Sequence, residues 1–195
     1  MRGHKQKILW FLTGILFFIY PVRIWSLPGP LAVPPPEDRI LTEIENIPDS
    51  SEMRIWVITY FDAPIEKVWK VVTQYENFGS GSKFFGVTFV EPLGMNRTEM
   101  HFDANFPWPL NFLNGAVLFT EDKKNHQITW THLWGFLKKN DGNLKLVEKQ
   151  KKTILEFTTL IELGFYFPRW AVHWGVQTNV PTEIEGIRLA LKSMN

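Results

Sequence analysis

From Phe84 to Leu163 apolar residues recur at every second position, and no other feature of the chain limits its fold as strongly. In NRTEMHFDANF, Thr98, Met100, Phe102, Ala104 and Phe106 fall on one side, and Glu99, His101, Asp103 and Asn105 on the other. In TILEFTTLIEL, Leu155, Phe157, Thr159, Ile161 and Leu163 face one way. A period of two belongs to a strand with one dry face. FFGVTFVEP, NFLNGAVLFTED, HQITWTHLWG and LKLVEKQKK extend the series. The links between them are Pro-Leu-Gly, PWPL, the polar DKKN, and KKNDGN, whose Asp-Gly reads as a hairpin turn. Links this short join strands antiparallel.

The period changes at both ends. RIWVITYF, from Arg54, is rich in β-branched and aromatic residues and reads as a strand apolar on both faces. Pro64 pre-sets a first helical turn, with Asp62 a better cap than Ala63. Ile65, Val68, Trp69, Val72 and Tyr75 then form one helical stripe, which NFGSGSK ends. After the strands, Phe167, Trp170, Ala171 and Trp174 stand at helical spacing. Pro181 starts or kinks a further segment in which Ile184, Ile187, Leu191 and Met194 form a stripe.

The order is therefore strand, helix, about six more strands and a long C-terminal helix. The class is α+β: a curved antiparallel sheet of about seven strands around that last helix. A sheet with one apolar face must be covered, and the C-terminal helix is the one large apolar element left to cover it. A bent sheet around one helix closes loosely and leaves a hollow. Nine Trp and sixteen Phe in 195 residues supply large aromatic walls for core and hollow alike.

The N-terminus reads as an address. MRGHKQK is basic, and Ile8 to Tyr20 is apolar except for Thr13 and Gly14. A spanning helix needs about 20 apolar residues, so the block is closer to a signal-peptide core. Ile24 and Ser26 fit the −3 and −1 positions of a cleavage site, whereas Arg23 and Trp25 fit poorly. Two fates stay open: cleavage, or retention as a membrane anchor. Either way the expectation is export to a periplasmic or other extracytoplasmic location. Pro28, Pro30, Pro34, Pro35 and Pro36 make the next stretch a stiff spacer.

The chain has no cysteine, which excludes disulfides, thiolate metal sites and cysteine nucleophiles. Its net charge is +1, but the first 26 residues hold four basic side chains and no acid. The body is thus mildly acidic, and nucleic acid is not an expected partner.

His101, His126, His132 and His173 show no metal-ligand spacing. His132 shares a strand face with Ile128, Trp130 and Trp134. It is either a histidine satisfied by the backbone or a polar anchor in an apolar pocket. Glu99 with Asp103, and Glu156 with Glu162, alternate with apolar residues as solvated faces do. Lys138, Lys139, Lys145, Lys149, Lys151 and Lys152 make one hairpin basic, as a lysine-protected sheet edge or as an attraction for anionic lipid. Asn96-Arg97-Thr98 is a glycosylation sequon, which matters only in a eukaryotic secretory pathway. Trp108, between two prolines, either guards a cavity mouth, touches a membrane or plugs the sheet end.

DAPIEKVWKVVTQYENF, with its Ala-Pro start and Val-Trp pair, is similar to the first helix of the START-like (helix-grip) superfamily. Within it the chain resembles the polyketide cyclase/lipid-transport (SRPBCC) group, including coenzyme Q-binding-like proteins. VPTEIEGIRLALKS is similar to that family's last helix. The resemblance covers residues 53–195 and rests on packing signatures, with no catalytic motif to carry over. It implies an internal cavity for a hydrophobic molecule.

The expected organisation is a leader or anchor at 1–26, a proline-rich linker at 27–52 and a ligand-binding domain at 53–195. The expected function is an exported or membrane-tethered carrier or sensor for a lipid or other hydrophobic small molecule, without a cofactor. Met100, Phe102, Trp130, His132, Trp134, Phe157, Trp170, Trp174 and Ile187 are the expected cavity walls. Two alternatives stand beside it. One is a cyclase- or hydrolase-type enzyme using His132 and an inward carboxylate. The other is a cavity-free domain that binds a protein.

Overall fold

The computed structural model describes residues 39–82, 85–105, 112–163 and 169–194. The expected leader, the proline run and the segment around Trp108 lie outside these residues.

Eight antiparallel strands form one curved sheet. They are β1 (Leu41–Asn46), β2 (Glu52–Phe61), β3 (Phe85–Gly94), β4 (Arg97–Asn105), β5 (Phe112–Asp122), β6 (Gln127–Gly135), β7 (Leu137–Lys149) and β8 (Lys152–Leu163). Their order across the sheet is β1-β2-β8-β7-β6-β5-β4-β3. Helix α1 (Ile65–Val72) follows β2, and helix α2 (Arg169–Ser193) ends the chain. The expected sheet around a long final helix is thus present, with one strand more than expected.

The extra strand corrects the expected linker. β1 lies within 27–52 and pairs along its whole length with β2, from Leu41 opposite Ile58 to Asn46 opposite Met53. Its sequence, LTEIEN, is mostly polar because it is an edge strand with no apolar neighbour on its free side. Such a strand carries little period-two signal.

The turn chemistry needs two corrections. Asp141-Gly142 is no hairpin. Gly142 sits within β7, opposite Trp130 on β6 and Thr159 on β8. A Cβ at Gly142 would lie 2.3 Å from the Trp130 ring and 2.4 Å from the Thr158 carbonyl oxygen. The glycine is there because an indole lies across it. The β6–β7 reversal falls instead at Gly135, whose φ of 132° only glycine adopts readily. Likewise Pro92 and Gly94 lie in β3, and the turn falls at Met95-Asn96, both left-handed. Proline is tolerated there because β3 is an edge.

The lysine-rich hairpin is not an edge either, since β7 and β8 are inner strands. Lys138 and Lys139 leave the outer face and pair with Glu162 at 3.4 Å and Glu52 at 3.0 Å.

α1 starts after Pro64, whose carbonyl accepts the N–H groups of Lys67 and Val68. No side chain caps it, so the expected Asp62 cap is absent. Its stripe is as expected: Val68, Trp69, Val72 and Tyr75 are buried, with Val71 beside them. The buried Thr153 hydroxyl of β8 donates to the Ala63 carbonyl at 2.7 Å and fixes the turn before α1.

α2 is a single helix that contains Pro181. Around the proline, Thr178, Asn179 and Thr182 each return a side-chain hydrogen bond to the carbonyl four residues back. Such bonds favour a local bend, as does the N–H that proline lacks. The face of α2 that meets the sheet reads Val172, Val176, Val180, Ile184, Ile187 and Leu191.

Candidate functional site

The inner face of the sheet and α2 bound a space of about 660 Å3. The sheet contributes Met100 and Phe102 from β4, Phe119 from β5, Trp130 from β6, and Leu155 and Phe157 from β8. α2 contributes Val180, Ile184, Ile187 and Ala190. The segment after α1 closes one side with Tyr75, Phe78 and Gly79–Gly81.

Ring contacts make these walls stiff. Trp130 stacks on Phe157 with centroids 5.1 Å apart, and Tyr75 on Phe119 at 4.4 Å. Offset aromatic pairs of this kind hold better than area alone would suggest. The Trp130 indole N–H donates to Asn140 Oδ1 at 3.2 Å. The Thr159 hydroxyl lies 3.2 Å from the same Oδ1 and from the Asp141 carbonyl oxygen. Asn140 is thereby fixed as one polar point on an apolar wall. Tyr75 donates its hydroxyl to Glu121 Oε1 at 2.9 Å. Burial, with Glu121 beside it, pushes the phenol well above its ordinary range, so it stays a neutral donor.

The 79–82 segment is latched to α2. Ser82 donates to Asn179 Oδ1 at 2.7 Å, and the Gly79 N–H donates to Glu183 Oε2 at 3.1 Å. Glu183 lines the space, and its Oε1 is buried without a hydrogen-bond partner. Burial raises its carboxyl above the ordinary value, and the Gly79 N–H offsets part of that rise. Among the described lining residues it is the one carboxylate, and none of them is basic.

Of the nine residues named from sequence, Met100, Phe102, Trp130, Phe157 and Ile187 line this space. His132, Trp134, Trp170 and Trp174 are not among its lining residues. Trp134 is displaced by a bulge. β5 steps from Ala116 to Val117 while β6 steps from Trp134 to His132, so Leu133 is the extra residue. The shift turns Trp134 to the outer face, where it meets His101 edge-on at 5.3 Å.

His132 shares Val117's side by register, but β6 and β7 part beyond the Trp130–Gly142 pair. Its backbone N–H donates to Asp141 Oδ1 at 3.0 Å, and its ring Nδ1 is buried without a partner. So Nδ1 lacks the backbone bond of the first reading, and the ring is absent from the lining that the polar-anchor reading requires.

Trp170 and Trp174 lie on the wrong side of α2. Val172 packs with Met53 in a small cluster joined by Val176, Ile161 and Leu163. Two residues before each valine, at about 100° per residue, is nearly the opposite face. Trp170 is accordingly 71% exposed.

The remaining candidates sit on the outer surface or its rim. His101 pairs with Glu99 at 2.7 Å, and His126 with Glu66 at 3.0 Å. Glu156 stands opposite Lys145 in the β7–β8 register. Ser51 and Lys138 hold the exposed Glu162 carboxyl below its ordinary value. No cluster of metal-ligating side chains occurs among the described residues.

Sequence reasoning missed Glu183. It sits one residue before Ile184 in the α2 stripe, and a glutamate there reads as solvated flank. The available signal was the pair of glycines, Gly79 and Gly81, which lets backbone come close to the helix. A Cβ at Gly81 would already meet Thr182 at 3.1 Å.

No protein-family model matches the chain, and no curated protein matches it. Solved structures do. A STAR-related lipid transfer protein from Xanthomonas axonopodis superposes with a TM-score of 0.66 at 15% identity, over 78% of this chain and 93% of that one. A Thermus thermophilus protein gives 0.61 at 18% identity, over 73% and 99%. The Zhui aromatase/cyclase from a Streptomyces species gives 0.61 at 12% identity, over 72% and 94%. At these identities the likeness concerns the fold and not the chemistry. With its strand order, its two helices and these likenesses together, the chain has the START-like helix-grip fold.

Proposed function

We propose that this domain is a carrier or sensor that holds a lipid or other hydrophobic small molecule between sheet and α2. The observation that carries the reading is the space of about 660 Å3 walled by aromatic and aliphatic side chains. Pockets that bind small molecules commonly have this size, apolar walls and a few placed polar groups. Asn140, Thr159 and Glu183 are among the polar groups here. Each Å2 of apolar surface buried contributes roughly 25 cal/mol, so about 300 Å2 gives roughly 7 kcal/mol before the losses of binding. That is enough for a single acyl chain or fused-ring molecule. The lipid transfer protein among the structural neighbours agrees with such cargo.

The enzyme reading has less support. Among the described residues His132 does not line the space, and its buried ring Nδ1 has no partner. The carrier's working place, exported and either free or tethered near a membrane, rests on the leader sequence alone.

Native mass spectrometry of protein purified without detergent tests the proposal. The expected result is a bound species of lipid-like mass, displaced by a fluorescent lipid at one per chain. Reproducible absence of both co-purified and added lipid would refute it.

A further inference from the structure

The space in this domain is largely apolar, yet among its described lining residues is one carboxylate with an oxygen that has no hydrogen-bond partner. Glu183 Oε2 takes the Gly79 N–H, and Oε1 is buried without a partner. A buried acceptor left empty is unfavourable by about 1–3 kcal/mol, more if charged. Burial also holds the carboxyl above its ordinary value. Nothing basic among the described lining residues compensates it, and Arg188 on α2 is engaged with other partners. Arg188 donates to the Thr59 hydroxyl at 3.3 Å and lies 3.6 Å from Glu185.

Resting on the carrier reading, we infer that the Glu183 carboxyl, turned so that Oε1 meets the space it lines, is the head-group anchor of the bound molecule. It selects an apolar ligand that carries a hydrogen-bond donor, a hydroxyl or a protonated amine, at one end. Two features of the site make the choice. An acceptor without a donor asks for a donor. A ligand ending in a carboxylate or phosphate would bring a second acidic group against Glu183 with no described cation to share. Like charges that close are disfavoured most where water is excluded.

The position fits a head-group site. Glu183 lies where the 79–82 segment meets α2. A tail would lie along the aromatic wall and the head at the latch. A donor bound there would sit against the same carboxylate that fastens Gly79, so ligand and segment share one partner.

The test uses three probes with one tail: dodecanol, dodecylamine and dodecanoate. Each displaces an apolar fluorescent probe from the full chain and from Glu183→Gln and Glu183→Leu, all at neutral pH. In the unaltered protein the alcohol and the amine should bind at least about tenfold more tightly than the carboxylate, a difference of roughly 1.4 kcal/mol. Glu183→Gln keeps an acceptor and removes the charge. It should hold the alcohol, weaken the amine and admit dodecanoate better. Glu183→Leu should bind all three within about twofold.

Dodecanoate binding as tightly as dodecanol in the unaltered protein would overturn the anchor while leaving the carrier reading intact. An unchanged order in Glu183→Leu would do the same. If the fluorescent probe and all three ligands fail to bind, both readings fall. Thermal unfolding of each variant, with Glu183→Gln as the gentler change, shows whether the fold itself has survived.

Discussion

Gly142 shows how one residue can be misread from its neighbours and understood from its contacts. Beside Asp141 it signals a turn, yet it is extended and roofed by Trp130. Any side chain there would drive the indole off Asn140 and Phe157. Gly142→Val is therefore expected to destabilise the domain by about 2–3 kcal/mol through overpacking, in denaturant unfolding followed by Trp fluorescence. A loss below about 0.5 kcal/mol would mean the indole moves freely. Glu183 gives a second expectation at this scale. Its folded value is raised above the ordinary 4.5, so the folded chain keeps a proton that the unfolded chain has released. Stability then falls as pH rises through that window and returns on acidification. The carboxyl takes the Gly79 N–H, and among the described lining residues the other titratable group is Tyr75, held neutral. Unfolding of the natural protein and Glu183→Gln, compared from pH 4.5 to neutrality, should show the natural protein losing ground as pH rises. A pH-independent difference would contradict the burial of this carboxyl.

At the scale of elements, α2 decides what faces the sheet. Its wall residues are valines and isoleucines four or three apart, while its tryptophans turn outward. Val172→Ala should lower stability by about 1–3 kcal/mol, and Trp170→Ser by less than about 0.5 kcal/mol. The reverse ranking in thermal unfolding would place the helix in another rotation. This phase was hard to read because Phe167, Trp170 and Trp174 also stand at helical spacing, and aromatic bulk outweighs valine in any hydrophobic reading. The strands were legible for the opposite reason. In β4 the apolar residues share one face, joined there by Thr98 alone among the polar ones, and Met100, Phe102 and Ala104 are buried as the alternation requires. Sequence could not show the Leu133 bulge, since an added residue changes faces without changing composition. Nor could it show β1, whose pairing comes from its place beside β2 rather than from its own residues. The walls of the site were thus partly readable. Its polar anchor was not, because a buried glutamate and a solvated one look alike in a helix.

For the whole molecule, a sheet that curves around one helix and keeps a space of about 660 Å3 has given up packing that a filled core would supply. Natural domains hold stability in reserve where function needs an unfilled site, so stability and cargo should pull in opposite directions here. Val180, half-buried on α2 and lining the space, is the place to test it. Val180→Phe would put a ring where a tail now fits. Excluding about 55 Å2 of ligand contact, at roughly 25 cal/mol per Å2, weakens a lipid by about 1.4 kcal/mol, or tenfold. The same ring adds contacts inside the protein, so its melting temperature should hold or rise in the absence of ligand. An added ligand should then raise the melting temperature of the natural protein more than that of the variant, because the shift follows RT ln(1 + [L]/Kd). A variant that melts lower and binds unchanged would show that the space is a packing fault beside the true site, and that cargo is held elsewhere.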